Sequence, residues 1–228
     1  MRGGQSGGAA EMDHMQGEPA RDCPLCPRLN GFIGEQRRLH EDWHNGPVAT
    51  FYPPMGRGGV RLLIVGLAPG LRGANRTGRP FTGDYAGDLL YRVLVSHGLA
   101  QGLYAARPDD GLTLVDTAIT NAVRCVPPEN RPTGTEIATC RPFLAATIAG
   151  LPRLRVILTL GKIAHESTVR ALDERLRDHA FGHGAETVIG GITLLSSYHC
   201  SRYNTNTGRL TEEMFESIFN RIDDILQS

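Results

Sequence analysis

Apolar positions along this chain fall into short solid runs separated by longer amphipathic stretches. Val60-Arg61-Leu62-Leu63-Ile64-Val65 is a run of six ending at a glycine, the pattern of a strand buried on both faces. Residues 114–122, 155–160 and 192–197 read as three more strands. Helical spacing predicts helices over 28–43, 85–97, 135–149, 161–172 and 211–226, the last opened by Thr211 with Glu212 and Glu213 behind it. Strands alternating with helices imply an α/β chain with a parallel sheet covered on both faces. In such sheets, ligands sit at the carboxyl ends of the strands. The loops at 66–84, 121–131 and 198–209 all leave strand ends, so they are expected to converge on one cleft. The Gly-rich, polar residues 1–20 read as a disordered leader, and 21–228 as a single domain, a length that suits one full core.

Charge changes this picture locally rather than globally. The chain has 24 basic and 24 acidic side chains, without the excess expected of a strongly basic nucleic-acid binder. Yet residues 57–79 hold five arginines and no acid, and 196–209 hold two arginines and a histidine, again with no acid. These are either solvated loops or surfaces that meet a phosphate backbone. No stretch is long and apolar enough to span a membrane, and no signal peptide is visible. Five cysteines without a secretion signal point to the cytoplasm, where clustered thiols hold metal more often than they form disulfides.

Four of those cysteines carry a pattern: Cys23 and Cys26 as C-x2-C, a gap of 98 residues, then Cys125 and Cys140 as C-x14-C. Thiolates ligate both zinc and iron–sulfur clusters. Structural zinc usually closes short loops, so the wide spread favours iron–sulfur, with zinc and unligated core cysteines as alternatives. Cys200 stands outside the pattern and reads as a packing residue. Gly66-Leu67-Ala68-Pro69-Gly70 fits neither a dinucleotide fingerprint nor a Walker A loop. Its glycines can bring backbone amides close to a ligand, or simply form a tight turn. Asn121 ends a strand, where an amide can pair with a planar heterocycle. Phe81 is a stacking platform or a core anchor. His199 sits among short hydrogen-bonding side chains, in a loop suited to phosphates and base edges.

Taken together, 66–70, 73–84, Ile119-Thr120-Asn121 and 199–209 resemble the uracil-DNA glycosylase superfamily. The cysteine quartet, Leu67 and Asp84 point to its iron–sulfur family 5 (B-type, thermophile-like) branch. The resemblance covers Cys23 to the C-terminus. It implies a three-layer α/β/α sandwich on a four-stranded parallel sheet. It also implies a structural 4Fe–4S cluster on Cys23, Cys26, Cys125 and Cys140. The implied activity is hydrolysis of the N-glycosidic bond of uracil in DNA, and of other deaminated bases such as hypoxanthine, as the first step of base excision repair. Two positions depart from the best-known branches. Leu67 and Ala68 stand where a water-positioning polar residue is usual, and His199-Cys200-Ser201 replaces His-Pro-Ser. The implied roles are Asp84, Asn121 and His199 in catalysis, and Gly66, Leu67, Ala68, Gly70, Phe81, Asn121 and His199 around the base. Ser201, Arg202, Tyr203, Asn204, Thr205 and Arg209 are the implied DNA contacts. A monomer is expected, since reading a lesion needs no two-fold axis. Rival readings are a lesion-binding module without catalysis, a nucleotide-phosphate hydrolase, and a related branch that attaches covalently to DNA through a loop histidine. The hydrolase would need a carboxylate cluster that the sequence lacks.

Overall fold

The structure is a computed structural model and describes residues 17–228. In chain order its helices are α1 (Pro27–Leu39), α2 (Ala74–Thr77), α3 (Tyr85–Ser96), α4 (Gly134–Ala149), α5 (Lys162–Ala171), α6 (Arg202–Asn206) and α7 (Glu212–Gln227). The strands are β1 (Leu62–Gly66), β2 (Ala100–Gln101), β3 (Thr113–Leu114), β4 (Thr117–Asn121), β5 (Val156–Leu160), β6 (Glu186–Ile189) and β7 (Ile192–Ser197). The main sheet has the order β4-β1-β5-β7-β6. Its first four strands are parallel and β6 is antiparallel at the edge.

Alternation within the strands makes the three layers. Leu62 and Ile64 of β1, with Val156, Leu158 and Leu160 of β5, face α3 and α7, where Leu90, Leu94, Phe215 and Phe219 close one core. Leu63 and Val65, with Ile157 and Leu194, face the other way against Leu144 and Ile148 of α4 and Val169 of α5. β1 and β5 are buried along their whole length, as their mainly apolar sequences require, with Thr159 the polar exception. Side chains cap several of the helix N-termini. Thr133 and Glu136 form a reciprocal capping box on α4, and Thr211 accepts from the Met214 amide on α7.

The four expected parallel strands are present, with three differences. The expected 114–122 strand is two pieces, because Asp116 turns the chain at φ 50° and sends Thr113–Leu114 to pair with Ala100–Gln101. The first helix stops at Leu39 instead of 43. Beyond it His40 stacks on Trp43 at 3.8 Å, and the Asn45 amide takes up the His40 and Gln36 carbonyls. β6 is an additional strand, joined to β7 by Gly190-Gly191, both at positive φ. Of the expected leader, residues 1–16 lie outside the described residues. Residues 17 and 18 pack on the domain: Arg124, fully buried, donates to the Glu18 carboxylate at 2.7 Å and to the Gly17 carbonyl at 3.3 Å. Among the described residues no helix is long and apolar enough to cross a membrane.

Candidate active site and cysteine nest

The three loops that leave β1, β4 and β7 do converge. They enclose a cleft of about 650 Å³ lined by Leu67, Ala68 and Gly70 of the first loop, Phe81, Asp84, Asn121 and His199. Parallel pairing fixes the geometry, since Gly66 and Asn121 are register partners at adjacent strand ends. A Cβ on Gly66 would lie 2.5 Å from Asn121 Oδ1 and 2.6 Å from Phe81 Cζ, so only glycine lets the amide and the ring close in.

The polar groups at the cleft are held by backbone and packing rather than by one another. Asn121 is buried, yet its side-chain amide has no hydrogen-bond partner among the described residues. His199 faces Phe81 with ring centroids 6.0 Å apart and planes at 25°. The His199 ring nitrogens likewise bond no other described residue, while its carbonyl accepts from the Asn204 amide at 2.8 Å. Burial lowers the His199 pKa to about 4, so the imidazole is neutral near pH 7 and keeps one N–H to donate. Asp84 has a divided role. Its Oδ1 caps α3 by accepting from the Gly87 amide at 3.1 Å, and burial raises its pKa. Phe81 is buried and sits at φ 52°, a left-handed conformation that costs an aromatic residue on the order of 1–3 kcal/mol.

The late loop is more ordered than its polar composition suggests. Ser201 caps α6, Thr205 Oγ1 donates to the Tyr85 hydroxyl at 3.2 Å, and Asn204 supports His199. Those three side chains are engaged within the protein. Arg202, Tyr203 and Arg209 are exposed, Tyr203 at 73%. Arg202 lies over the Tyr85 ring at 5.2 Å and Arg209 over Tyr198 at 4.7 Å. Of the five arginines in 57–79, Arg61 pairs with Asp116 and Arg79 is buried against Asp110, whereas Arg72 lines the cleft. Two residues absent from the sequence reading back this wall: the Tyr104 hydroxyl donates to the Phe81 carbonyl, and Asp110 pairs with Arg79.

The four patterned cysteines line a second cavity with Leu29 and Phe143. Burial first, then the other thiols, push Cys26 up to about 11 and Cys125 up to about 12. The Arg124 amide donates to Cys140 Sγ at 3.3 Å. Among the described residues, no three or more His, Cys, Asp or Glu side chains are grouped so as to hold a metal ion. Cys200 is fully buried, its Sγ 3.5 Å from the Ala86 carbonyl, and is a packing residue as expected. Ala68 joins the two regions: it lines the cleft and packs on the Leu29, Val123, Cys140 and Phe143 cluster.

Comparison with known proteins bears on this geometry. The profile of the uracil DNA glycosylase superfamily matches residues 53–223. A type-5 uracil-DNA glycosylase of Thermus thermophilus is 44% identical over 199 residues, covering 85% of this chain and 89% of the relative. One of Mycobacterium leprae is 40% identical over 223 residues, covering 94% and 95%. A type-4 uracil-DNA glycosylase of Pyrobaculum aerophilum is 36% identical over 159 residues, covering 69% and 65%.

Proposed function

The chain belongs to the uracil DNA glycosylase superfamily, and from that premise we propose that it hydrolyses the N-glycosidic bond of uracil in DNA, opening base excision repair. The observation that carries this reading is one cleft holding an aromatic face, an unpartnered amide and a neutral imidazole at three strand ends.

A bond inside stacked DNA is out of reach, so the nucleotide rotates into the cleft; a base that pairs poorly lowers that cost by a few kcal/mol at most. Phe81 stacks on the base and Asn121 pairs with its edge. Bond cleavage leaves positive charge on the sugar and negative charge on the base. The His199 N–H and backbone amides of 66–70 receive that negative charge as an oxyanion hole would, and water completes the reaction. Leu67 and Ala68 offer no polar group for the water. Asp84 is the carboxylate at the cleft that can hold it, with Asn121 assisting. Its cap on α3 supports a second role, ordering the loop. The volume of the cleft supports acceptance of deaminated purines such as hypoxanthine. Arg202, Tyr203 and Arg209 supply the exposed DNA-facing groups, and the protein acts as a monomer in the cytoplasm.

Cys23, Cys26, Cys125 and Cys140 fit a 4Fe–4S cluster. The donor set is four thiols in an apolar shell. A cubane takes one thiolate per iron, and four thiols line the one cavity. When bound, the cluster would cross-link the segment at Cys23 and Cys26 to the middle of the chain and brace the loop at Ala68. The test is to incubate the protein with uracil- and hypoxanthine-containing oligonucleotides, measure free base, and cleave abasic sites with alkali. Release of uracil is expected; no free base from either strand would overturn the reading. Iron and acid-labile sulfide in equal amounts, with brown colour, are expected of the purified protein, and zinc in their place would remove the cluster.

A further inference from the structure

Phe81 holds a left-handed backbone that its own side chain disfavours, so something else must hold it there. The Tyr104 hydroxyl does so from both sides. It donates to the Phe81 carbonyl at 3.2 Å and accepts from the Gly83 amide at 3.4 Å. Glycine at 87 makes room, because a Cβ there would lie 1.8 Å from the Phe81 carbonyl oxygen and 2.6 Å from that hydroxyl. Tyr104 is itself fixed. Its ring stacks on Tyr91 at 4.6 Å, and the Tyr91 hydroxyl donates to the Pro80 carbonyl at 2.7 Å. The Arg79 guanidinium lies 5.8 Å from the Tyr104 ring and donates to both Asp110 oxygens at 2.8 Å, an ion pair with side chains 6% and 0% exposed. Asp110 also accepts from the Ala105 and Leu112 amides, which ties the Tyr104 loop to the Phe81 loop. Burial pushes the Tyr104 phenol up to about 12, so it keeps its proton at any working pH.

We infer that Tyr104, backed by the Arg79–Asp110 pair, is a positioning residue that sets the height and tilt of the Phe81 ring against the extruded base. The inference rests on the glycosylase reading above. Neither Tyr104 nor Asp110 lines the cleft. Their effect falls on the state in which the base already lies on Phe81, and so on kcat. KM depends on DNA contacts made by a different loop.

Tyr104→Phe deletes one oxygen and keeps the ring, and Asp110→Asn keeps the shape of its side chain while removing the charge. In single-turnover and steady-state assays on a uracil duplex, each is expected to lower kcat roughly 10- to 100-fold with KM held, the scale of a misplaced reacting group. A duplex with a fluorescent purine analogue beside the uracil should show less extrusion with Tyr104→Phe, at an unchanged melting temperature. Unchanged kcat and extrusion would overturn the inference. So would a loss of kcat that merely followed lost thermal stability in Tyr104→Phe; that variant decides the matter if Asp110→Asn folds poorly. A wild-type protein that released no uracil would sink the glycosylase reading and this inference with it. An active wild type beside an unimpaired Tyr104→Phe would sink the inference alone.

Discussion

The cleft and the cysteine nest solve opposite problems. The cleft completes itself: its walls are fixed by a strand register, helix caps and buried hydrogen bonds, and the groups left unpartnered, Asn121 and His199, are those a ligand would meet. The nest does not complete itself. It gathers four thiols in apolar surroundings, where burial and neighbouring thiols push Cys26 and Cys125 up, and Arg124 offsets this only in part. With the proposed cluster in the nest, the contrast separates preorganised chemistry from structure borrowed from an inorganic group. Damage to the first should cost rate, and damage to the second should cost the fold.

The sharpest break in that contrast comes from the nest. Cys140→Ala is expected to give protein that is insoluble or melts far lower and carries little iron, as seen by yield, calorimetry and metal analysis. A soluble, fully active variant would end the division. Next come His199→Ala and Asn121→Ala, each expected to lose on the order of 100- to 1,000-fold in kcat with melting temperatures near wild type. Asp84 lies across the division. Asp84→Asn preserves a cap acceptor and tests the charge alone, whereas Asp84→Ala also removes the cap, at about 1 kcal/mol, or a fall of about 2–4 °C in melting temperature. Equal rates for Asp84→Asn and wild type would leave Asp84 as loop architecture only.

The pH profile sharpens the cleft further. His199 has a folded pKa of about 4, below its usual value near 6.5, so its working neutral form is present above about 4 and is lost as pH falls through it. The raised pKa of Asp84 acts in the same direction, its carboxylate being lost on acidification. Uracil release from the free enzyme, read as kcat/KM, should therefore fall on the acid side and stay level through pH 6–7. A decline on raising the pH through 6.5 would mean that an imidazolium does the work. The same group affects stability. Between its two pKa values the unfolded chain binds the extra proton, so acidification through that window destabilises the fold. The smallest effect is expected from Arg209→Ala, a modest loss of DNA affinity with the salt slope reduced by about one.

Much of this was legible in the sequence because the elements carrying it follow simple rules. An unbroken apolar run marked β1 and largely apolar runs marked β5 and β7, and the loops behind them met where a parallel sheet requires. The edge strand β6 escaped because its burial is partial, although Gly190-Gly191 between Ile189 and Ile192 is a hairpin signal in its own right. The break at 114–122 was marked by Asp116, a turn-favouring residue at φ 50°, but the apolar residues on both sides of it read as one strand. At the cleft, Asn121, Phe81 and His199 were readable because they lie in or beside polar loops at strand ends, whereas Asp84 came only with the family resemblance. Tyr104 and Asp110 were not, because they come from a separate loop and reach the site only through tertiary contact.

The anchoring of Glu18 has a practical corollary for anyone who trims this protein. Its carboxylate is the counter-ion of a guanidinium that solvent cannot reach, one residue away from Cys125. Shortening the chain past this point would strand that cation beside the thiols, a fault worth roughly 3–5 kcal/mol. The working domain therefore reaches at least as far back as an acid at 18, ahead of the first cysteine.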